Sequence, residues 1–207
     1  MMKIETYPLG VYQANSFLIS KDNQYLIVDP GSKPDFLISK VPESANVLAI
    51  LLTHGHFDHF AAAEDLAKHF KADIYVHIED EEFLTDPQKN YSDHRNVTCD
   101  YRVNAFDKPF LQIGPFKINV FHTPGHSPGS VCYLIENHLF TGDLLFKNSI
   151  GRTDLYRGNV SDMMESLKFI CSLDGDISVY PGHGALTTMK VEKALNPFIL
   201  SFKRNHK

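Results

Sequence analysis

Residues 47–59 read VLAILLTHGHFDH: an unbroken apolar run followed at once by three histidines and an aspartate. A strand with one wet face alternates apolar and polar residues, so a run without alternation implies a strand buried on both faces. The fold must therefore cover this segment with layers above and below. The polar cluster at its end lies where a rigid scaffold displays reactive side chains, on the turn leaving a strand. Directly after it, in HFDHFAAAEDLAKHF, Phe60, Ala63, Leu66, Ala67 and Phe70 recur at helical spacing, giving strand, turn and helix in succession.

The rest of the chain extends this pattern. KIETYPLG, NSFLIS and QYLIVDPG read as a meander of short strands, residues 33–40 as a short helix, and ADIYVH (72–77) as a strand. EDEEFLTDP begins helically and breaks at Pro87, and the polar stretch 86–104 is expected to be a surface loop or lid. FKINVFHT (116–123) alternates as a strand, residues 130–135 and 138–143 form a hairpin, and SDMMESLKFICSL is a helix with Ser161 as its N-cap. DISVYPGHG (176–184) is a strand entering a glycine-rich turn, and the remaining residues are mostly helical with an interruption at Asn196-Pro197. Strands interleaved with helices predict an α/β protein, and 207 residues fit one domain spanning 1–207.

With a formal net charge of −5, the chain lacks the broad basic field that captures phosphate backbones, so no nucleic-acid partner is expected. No stretch reaches the length of a membrane span and MMKIETYPLG has no signal pattern, which predicts no membrane association and a cytoplasmic location. Cys99, Cys132 and Cys171 are odd in number and widely spaced, so free thiols are expected rather than a disulfide framework or a thiolate zinc site.

Four probable strand ends carry histidine or aspartate beside glycine: THGHFDH, TPGHSPGS, TGDLLF and PGHG. His54 and His56 are two apart and reach the same side of an extended segment, whereas Asp58 and His59 fall where the helix begins. That spacing can divide four ligands between two neighbouring ions, with His126, Asp143 and His183 supplying the remainder. Imidazole and carboxylate suit zinc, iron or manganese, and a ligand set without cysteine is unlike a purely structural zinc site. Seven ligands with one shared aspartate leave room for a bridging water, the arrangement of a two-metal hydrolase. Of the other histidines, His69, His77, His94, His138 and His206 are expected to be surface or packed residues, and His122 to support or pack rather than ligate.

The ordered set THGHFDH, TPGHSPGS, FTGD and PGHG resembles the metallo-beta-lactamase superfamily, most closely its glyoxalase II-like hydrolases. The resemblance implies a four-layered αββα sandwich of two mixed sheets with helices outside and metals at one edge. It further implies His54, His56 and His126 as ligands of one ion, Asp58, His59 and His183 as ligands of the second, and Asp143 as the bridge. Beta-lactamase activity is disfavoured by it, because those enzymes usually have a cysteine ligand where this chain has Asp143, or are secreted. The large exosite arm and basic surfaces of the superfamily's tRNA-processing nucleases have no equivalent here.

In NSIGRTDLYRGN (148–159), Arg152 matches the basic position that glyoxalase II enzymes use toward glutathione, while Thr153 and Asp154 replace their aromatic pair. With few residues after His183, their C-terminal glutathione-binding helical domain is not expected here. GRTD resembles a compact bacterial-type subgroup and also occurs in persulfide dioxygenases, which use a single iron. Arg152 is thus a candidate substrate contact, with a bracing ion pair to Asp154 as the alternative. The expected activity is hydrolysis of a small-molecule thioester such as an S-2-hydroxyacyl-glutathione by a metal-bridging hydroxide, with Asp58 orienting the nucleophile. Two divalent ions are expected, zinc first, and an iron persulfide dioxygenase is the alternative.

Overall fold

A computed structural model describes the backbone of residues 1–204 and the side chains through Ser201, which leaves His206 outside the described residues. In chain order the elements are β1 (Lys3–Leu9), β2 (Ala14–Lys21), β3 (Gln24–Val28), α1 (Pro34–Lys40), β4 (Asn46–Leu51), α2 (Phe57–Phe60), α3 (Ala63–Phe70) and β5 (Asp73–His77). A 3-10 segment (Ile78–Thr85) follows, then β6 (Val103–Phe106), β7 (Phe110–Ile113), β8 (Phe116–His122), β9 (Val131–Ile135) and β10 (His138–Gly142). Last come β11 (Leu145–Phe146), β12 (Ser149–Ile150), α4 (Val160–Ser172), β13 (Ser178–Pro181), β14 (Thr187–Thr188), α5 (Met189–Leu195) and α6 (Pro197–Arg204).

Strands β1 to β6 form one sheet in sequence order, antiparallel through β3 and parallel from there on. The second sheet runs β14-β13-β10-β9-β8-β7, antiparallel except where β10 meets β13. The period-two alternation of strand side chains sorts residues to opposite faces. Phe17 and Ile19 of β2, Val28 of β3 and Leu51 of β4 face the second sheet and meet Ile118, Val120, Tyr133 and Phe140 there. Their neighbours Leu18, Ile27 and Ile50 point the other way, onto Leu37 of α1 and Leu66 and Ala67 of α3. On the far side, Cys132, Leu139 and Val179 pack under Met163, Leu167 and Ile170 of α4. The chain thus forms the four-layered αββα sandwich, and β4 is apolar from Val47 to Leu51, where both of its faces are covered.

Three local readings change. The N-cap of α4 is Asn159, whose Oδ1 accepts from the backbone N–H of Ser161 (2.8 Å) and Asp162 (3.2 Å), so Ser161 already lies in the first turn. An amide oxygen two residues earlier satisfies the orphan donors of the first turn, so the helix starts before Ser161. The stretch 86–104 ends by entering β6, which adds a parallel edge to β5, and β7 is a strand that neither composition nor length announces. Among the described residues, no helix is long and apolar enough to cross a membrane.

Candidate metal centre

The site forms where the carboxyl ends of β3, β4, β8, β10 and β13 meet along the seam between the two sheets. Direct hydrogen bonds stitch the seam. The Val131 N–H donates to the Thr53 carbonyl (2.8 Å), Gly182 to Gly142 (2.8 Å) and Asn15 to Gly182 (2.7 Å), while the Asn15 side chain donates to the carbonyls of Pro181 and Gly184. His56 precedes α2 with extended backbone, and Asp58 and His59 occupy that helix's first turn. The turn fits because Gly31 lies against it. A Cβ at Gly31 would sit 1.6 Å from the Asp58 carbonyl oxygen, and one at Gly151 would sit 1.7 Å from that of Asp143.

The seven side chains singled out from the sequence converge. His54, His56 and His126 bring one ring nitrogen each within 4.8 Å of one another, and so do the ligand atoms of Asp58, His59 and His183. Asp143 stands between the two groups: its Oδ2 is 3.5 Å from His126 Nε2 and 3.6 Å from His183 Nε2, and its Oδ1 is 3.4 Å from His59 Nε2. Asp58 Oδ2 lies 3.4 Å from His183 Nε2.

Hydrogen bonds behind the cluster decide which way the imidazoles present their lone pairs. His126 donates through Nδ1 to the Arg152 carbonyl (2.8 Å), His183 through Nδ1 to the Tyr12 carbonyl (3.0 Å), and His59 through Nδ1 to Asp29 (3.0 Å). A carbonyl or carboxylate only accepts, so Nδ1 carries a proton in each of the three rings and Nε2 is the atom turned toward the cluster, where that of His126 meets His56 Nδ1 at 2.8 Å. His59 Nε2 and His183 Nε2 face each other at 3.2 Å, a contact that a shared proton or a metal ion between them satisfies. His54 Nε2, His56 Nε2 and Asp143 Oδ1 are buried with no hydrogen-bond partner. Buried polar atoms are normally paired, so three unpaired ones on residues of one cluster of oxygen and nitrogen donors fit divalent metal ions.

Electrostatics agree. Burial, together with the surrounding imidazoles, drives His54 and His56 well below the usual histidine pKa, which keeps both rings neutral, each with one nitrogen lone pair available. Burial also pushes His59 down, but Asp143, Asp58 and Asp29 outweigh it and lift that ring to about 10. Burial raises Asp58, and the imidazoles of His59 and His183 more than reverse this, holding it far below the carboxylate range. The carboxylates thus call for positive charge at the spot where the lone pairs converge.

Two buried aspartates escaped the sequence reading. Asp29, at the end of β3 in the left-handed region (φ 49°), accepts from the Thr53 N–H (2.8 Å) and hydroxyl (2.6 Å) as well as from His59. Asp80 accepts from the backbone of Gly55 (2.8 Å) and Gly129 (2.6 Å) and from the Ser127 hydroxyl (2.6 Å), tying the loop after β4 to the loop after β8. The DPG after β3 held a visible clue, an acid closing a buried strand; Asp80 sits in an acidic run that reads as solvated surface.

His122 stacks on His77 with centroids 4.1 Å apart and donates to the Pro128 carbonyl, away from the cluster. Arg152 pairs with Asp154 through two bonds of 2.7 and 2.8 Å while also bordering the cavity above the cluster. That cavity, about 360 Å³, is walled by Tyr12, Phe57, Tyr91 and Leu155 over His56, Asp58 and Asp143.

The family model described as the metallo-beta-lactamase superfamily matches residues 9–183. The hydroxyacylglutathione hydrolase GloC of Haemophilus influenzae is 35% identical, the match covering 97% of this chain and 99% of the relative. The crystal structure of BLEG-1 B3 metallo-beta-lactamase superposes with a TM-score of 0.91 at 39% identity, covering 95% of this chain and 99% of that one. The crystal structure of TTHA1623 in a di-iron-bound form gives 0.83 at 32% identity, over 94% and 99%.

Proposed function

The chain belongs to the metallo-beta-lactamase superfamily, and we propose that it is a metal-dependent hydrolase cleaving a small-molecule thioester such as an S-2-hydroxyacyl-glutathione. The observation that carries the substrate class is the end-to-end likeness to the Haemophilus hydroxyacylglutathione hydrolase. In this reading His54, His56 and His126 hold one ion, Asp58, His59 and His183 hold the other, and Asp143 serves both. The donor set suits zinc first and admits iron or manganese; a related structure carrying two irons supports the two-ion reading. When bound, the ions supply Lewis acidity and lower the pKa of a coordinated water from ~15.7 toward ~7.

The chain's own residues do the rest. Asp58 stays ionised, so its carboxylate accepts a hydrogen bond from the attacking water and fixes its approach. Asp29 holds the proton of His59 on Nδ1, and the Arg152 and Tyr12 carbonyls do the same for His126 and His183, so no ring turns during the reaction. Tyr12, Phe57, Tyr91 and Leu155 exclude water around the acyl group. A thiol leaving group, with a pKa of only ~8.5, needs little acid assistance.

The likeness to BLEG-1 favours a second reading, hydrolysis of a cyclic amide, which needs the same water but a harder leaving group. Metal analysis of the purified protein, paired with anaerobic assays on S-lactoylglutathione and on a beta-lactam, separates the two. Two ions per chain with thioester cleavage is the expected result. A single iron with oxygen consumption on a persulfide would overturn it, and turnover of the lactam alone would install the second reading.

A further inference from the structure

A second cavity, about 240 Å³, adjoins the first and shares Tyr12, Phe57 and Asp58 with it. Its far wall carries Arg95, whose guanidinium carbon lies 5.1 Å from the Phe57 ring centroid and 5.9 Å from that of Tyr12. The two arginines at the site differ in one respect that matters for binding. Arg152 has one edge of its guanidinium, Nε and Nη2, engaged and its charge neutralised by Asp154. Arg95 has no carboxylate partner among the described residues, and it is held by two aromatic faces, which attract the cation while leaving its N–H donors free.

The turn that presents Arg95 is pinned. Asn90 is fully buried; its amide donates to the carbonyls of Phe83 (2.8 Å) and Val97 (3.0 Å), and its own carbonyl accepts from the Phe57 N–H (3.1 Å). The Ser92 carbonyl accepts from the N–H groups of Arg95 and Asn96, and the Ser92 hydroxyl accepts from Val97 (3.0 Å). The same short segment therefore fixes Phe57, the floor of both cavities, and Arg95, the cation at the end of one of them.

We propose that the Arg95 cavity is the subsite for an anionic group, carboxylate or phosphate, on the thiol half of the substrate, the acyl half lying over the metal cluster. This rests on the thioester reading and narrows it to thioesters of anionic thiols. An unpaired guanidinium offers the planar fork that both anions accept in bidentate fashion, and the aromatic walls shared by the two cavities give the connecting chain a continuous apolar path.

Three thioesters sharing one acyl group test it: S-lactoylglutathione, which carries carboxylates, S-lactoyl-coenzyme A, which carries phosphates, and uncharged S-lactoyl-N-acetylcysteamine. In Arg95→Gln the ratio of kcat/KM for an anionic thioester to that for the uncharged one is expected to fall about tenfold, as loss of one charged hydrogen-bonded contact implies, through KM rather than kcat. Loss with glutathione alone identifies a carboxylate, and loss with the coenzyme A ester a phosphate. Calorimetric titration with S-methylglutathione and with coenzyme A supplies a readout without turnover, expected to weaken about tenfold in Arg95→Gln for the anion that is recognised and to recover in part in Arg95→Lys. Unchanged ratios together with unchanged binding, or no binding of either titrant to the wild type, would overturn the subsite. Wild type that cleaves none of the three esters yet binds a titrant through Arg95 would instead overturn the thioester reading and keep the subsite.

Discussion

Each residue of the cluster is defined by what stands behind it as much as by what it faces. Asp58 makes the clearest case, because its carboxylate is ionised by neighbouring imidazoles in spite of burial and is positioned both to bind and to orient. Asp58→Asn keeps the shape and removes the charge, and kcat on a thioester is expected to fall about 100-fold, within the range for loss of a positioned proton acceptor. Measuring metal content beside kcat separates the two duties; full turnover with both ions retained would eliminate the orienting role. The seven cluster residues were legible in the sequence because a strand end followed by HxHxDH, PGH or GD is a local signal. Asp29 and Asp80 were not, since each acquires its role only when segments 24 to 49 positions apart are folded together. Arg152 was visible as a cation, but its bidentate tie to Asp154 is a fact of rotamers that no motif encodes.

The 3-10 segment Ile78–Thr85 behaves as a clasp between the two metal-bearing loops, and its energetics are concentrated in Asp80. Asp80→Ala would leave two buried N–H groups without an acceptor, while the Ser127 hydroxyl keeps Ser130, an expected loss of about 3 kcal/mol, with Asp80→Asn losing less. Denaturant titration at constant m-value checks this, and a change below 1 kcal/mol for the alanine variant would mean the loops hold without the clasp. At the start of the same segment, burial and the facing ring of His122 push His77 down to about 4, against the opposing pull of Glu79 and Asp107. The folded chain therefore refuses a proton that the unfolded chain takes up near pH 6.5, so this stability is complete above about 6.5 and is lost as pH falls toward 4. In chelated protein, His77→Gln should flatten the fall in denaturation midpoint between pH 7 and 5; parallel profiles for wild type and variant would rule the pair out as its cause. Strand and helix periodicity revealed most elements. It missed β6 and β7, whose short edge segments pair by position in the sheet, and it displaced the α4 cap because Asn159 and Ser161 are both good caps and only the backbone geometry chooses.

At the scale of the molecule, the three apolar clusters lie between and outside the sheets, while the imidazoles and carboxylates gather at the seam, so the fold's core and its site are built from different residues of the same strands. Leu51 is sealed between the sheets only a few positions before His54 and His56, whose Nε2 atoms are buried without a protein partner among the described residues. This separation predicts that metal removal leaves a folded chain of reduced stability. A ligand at 1,000 times its Kd stabilises by about 4 kcal/mol, and for a chain of this size each kcal/mol moves Tm by roughly 2–4 °C, so each ion should raise Tm by roughly 10 °C over the chelated protein. Titrating zinc into chelated protein while following Tm and circular dichroism should give a cooperative transition at every step and a rise that saturates at two equivalents. Saturation at one equivalent would mean that only one of the two ligand groups holds an ion and would overturn the two-ion reading. Loss of cooperative unfolding on chelation would mean that the seam, and not the apolar layers, holds the two sheets together.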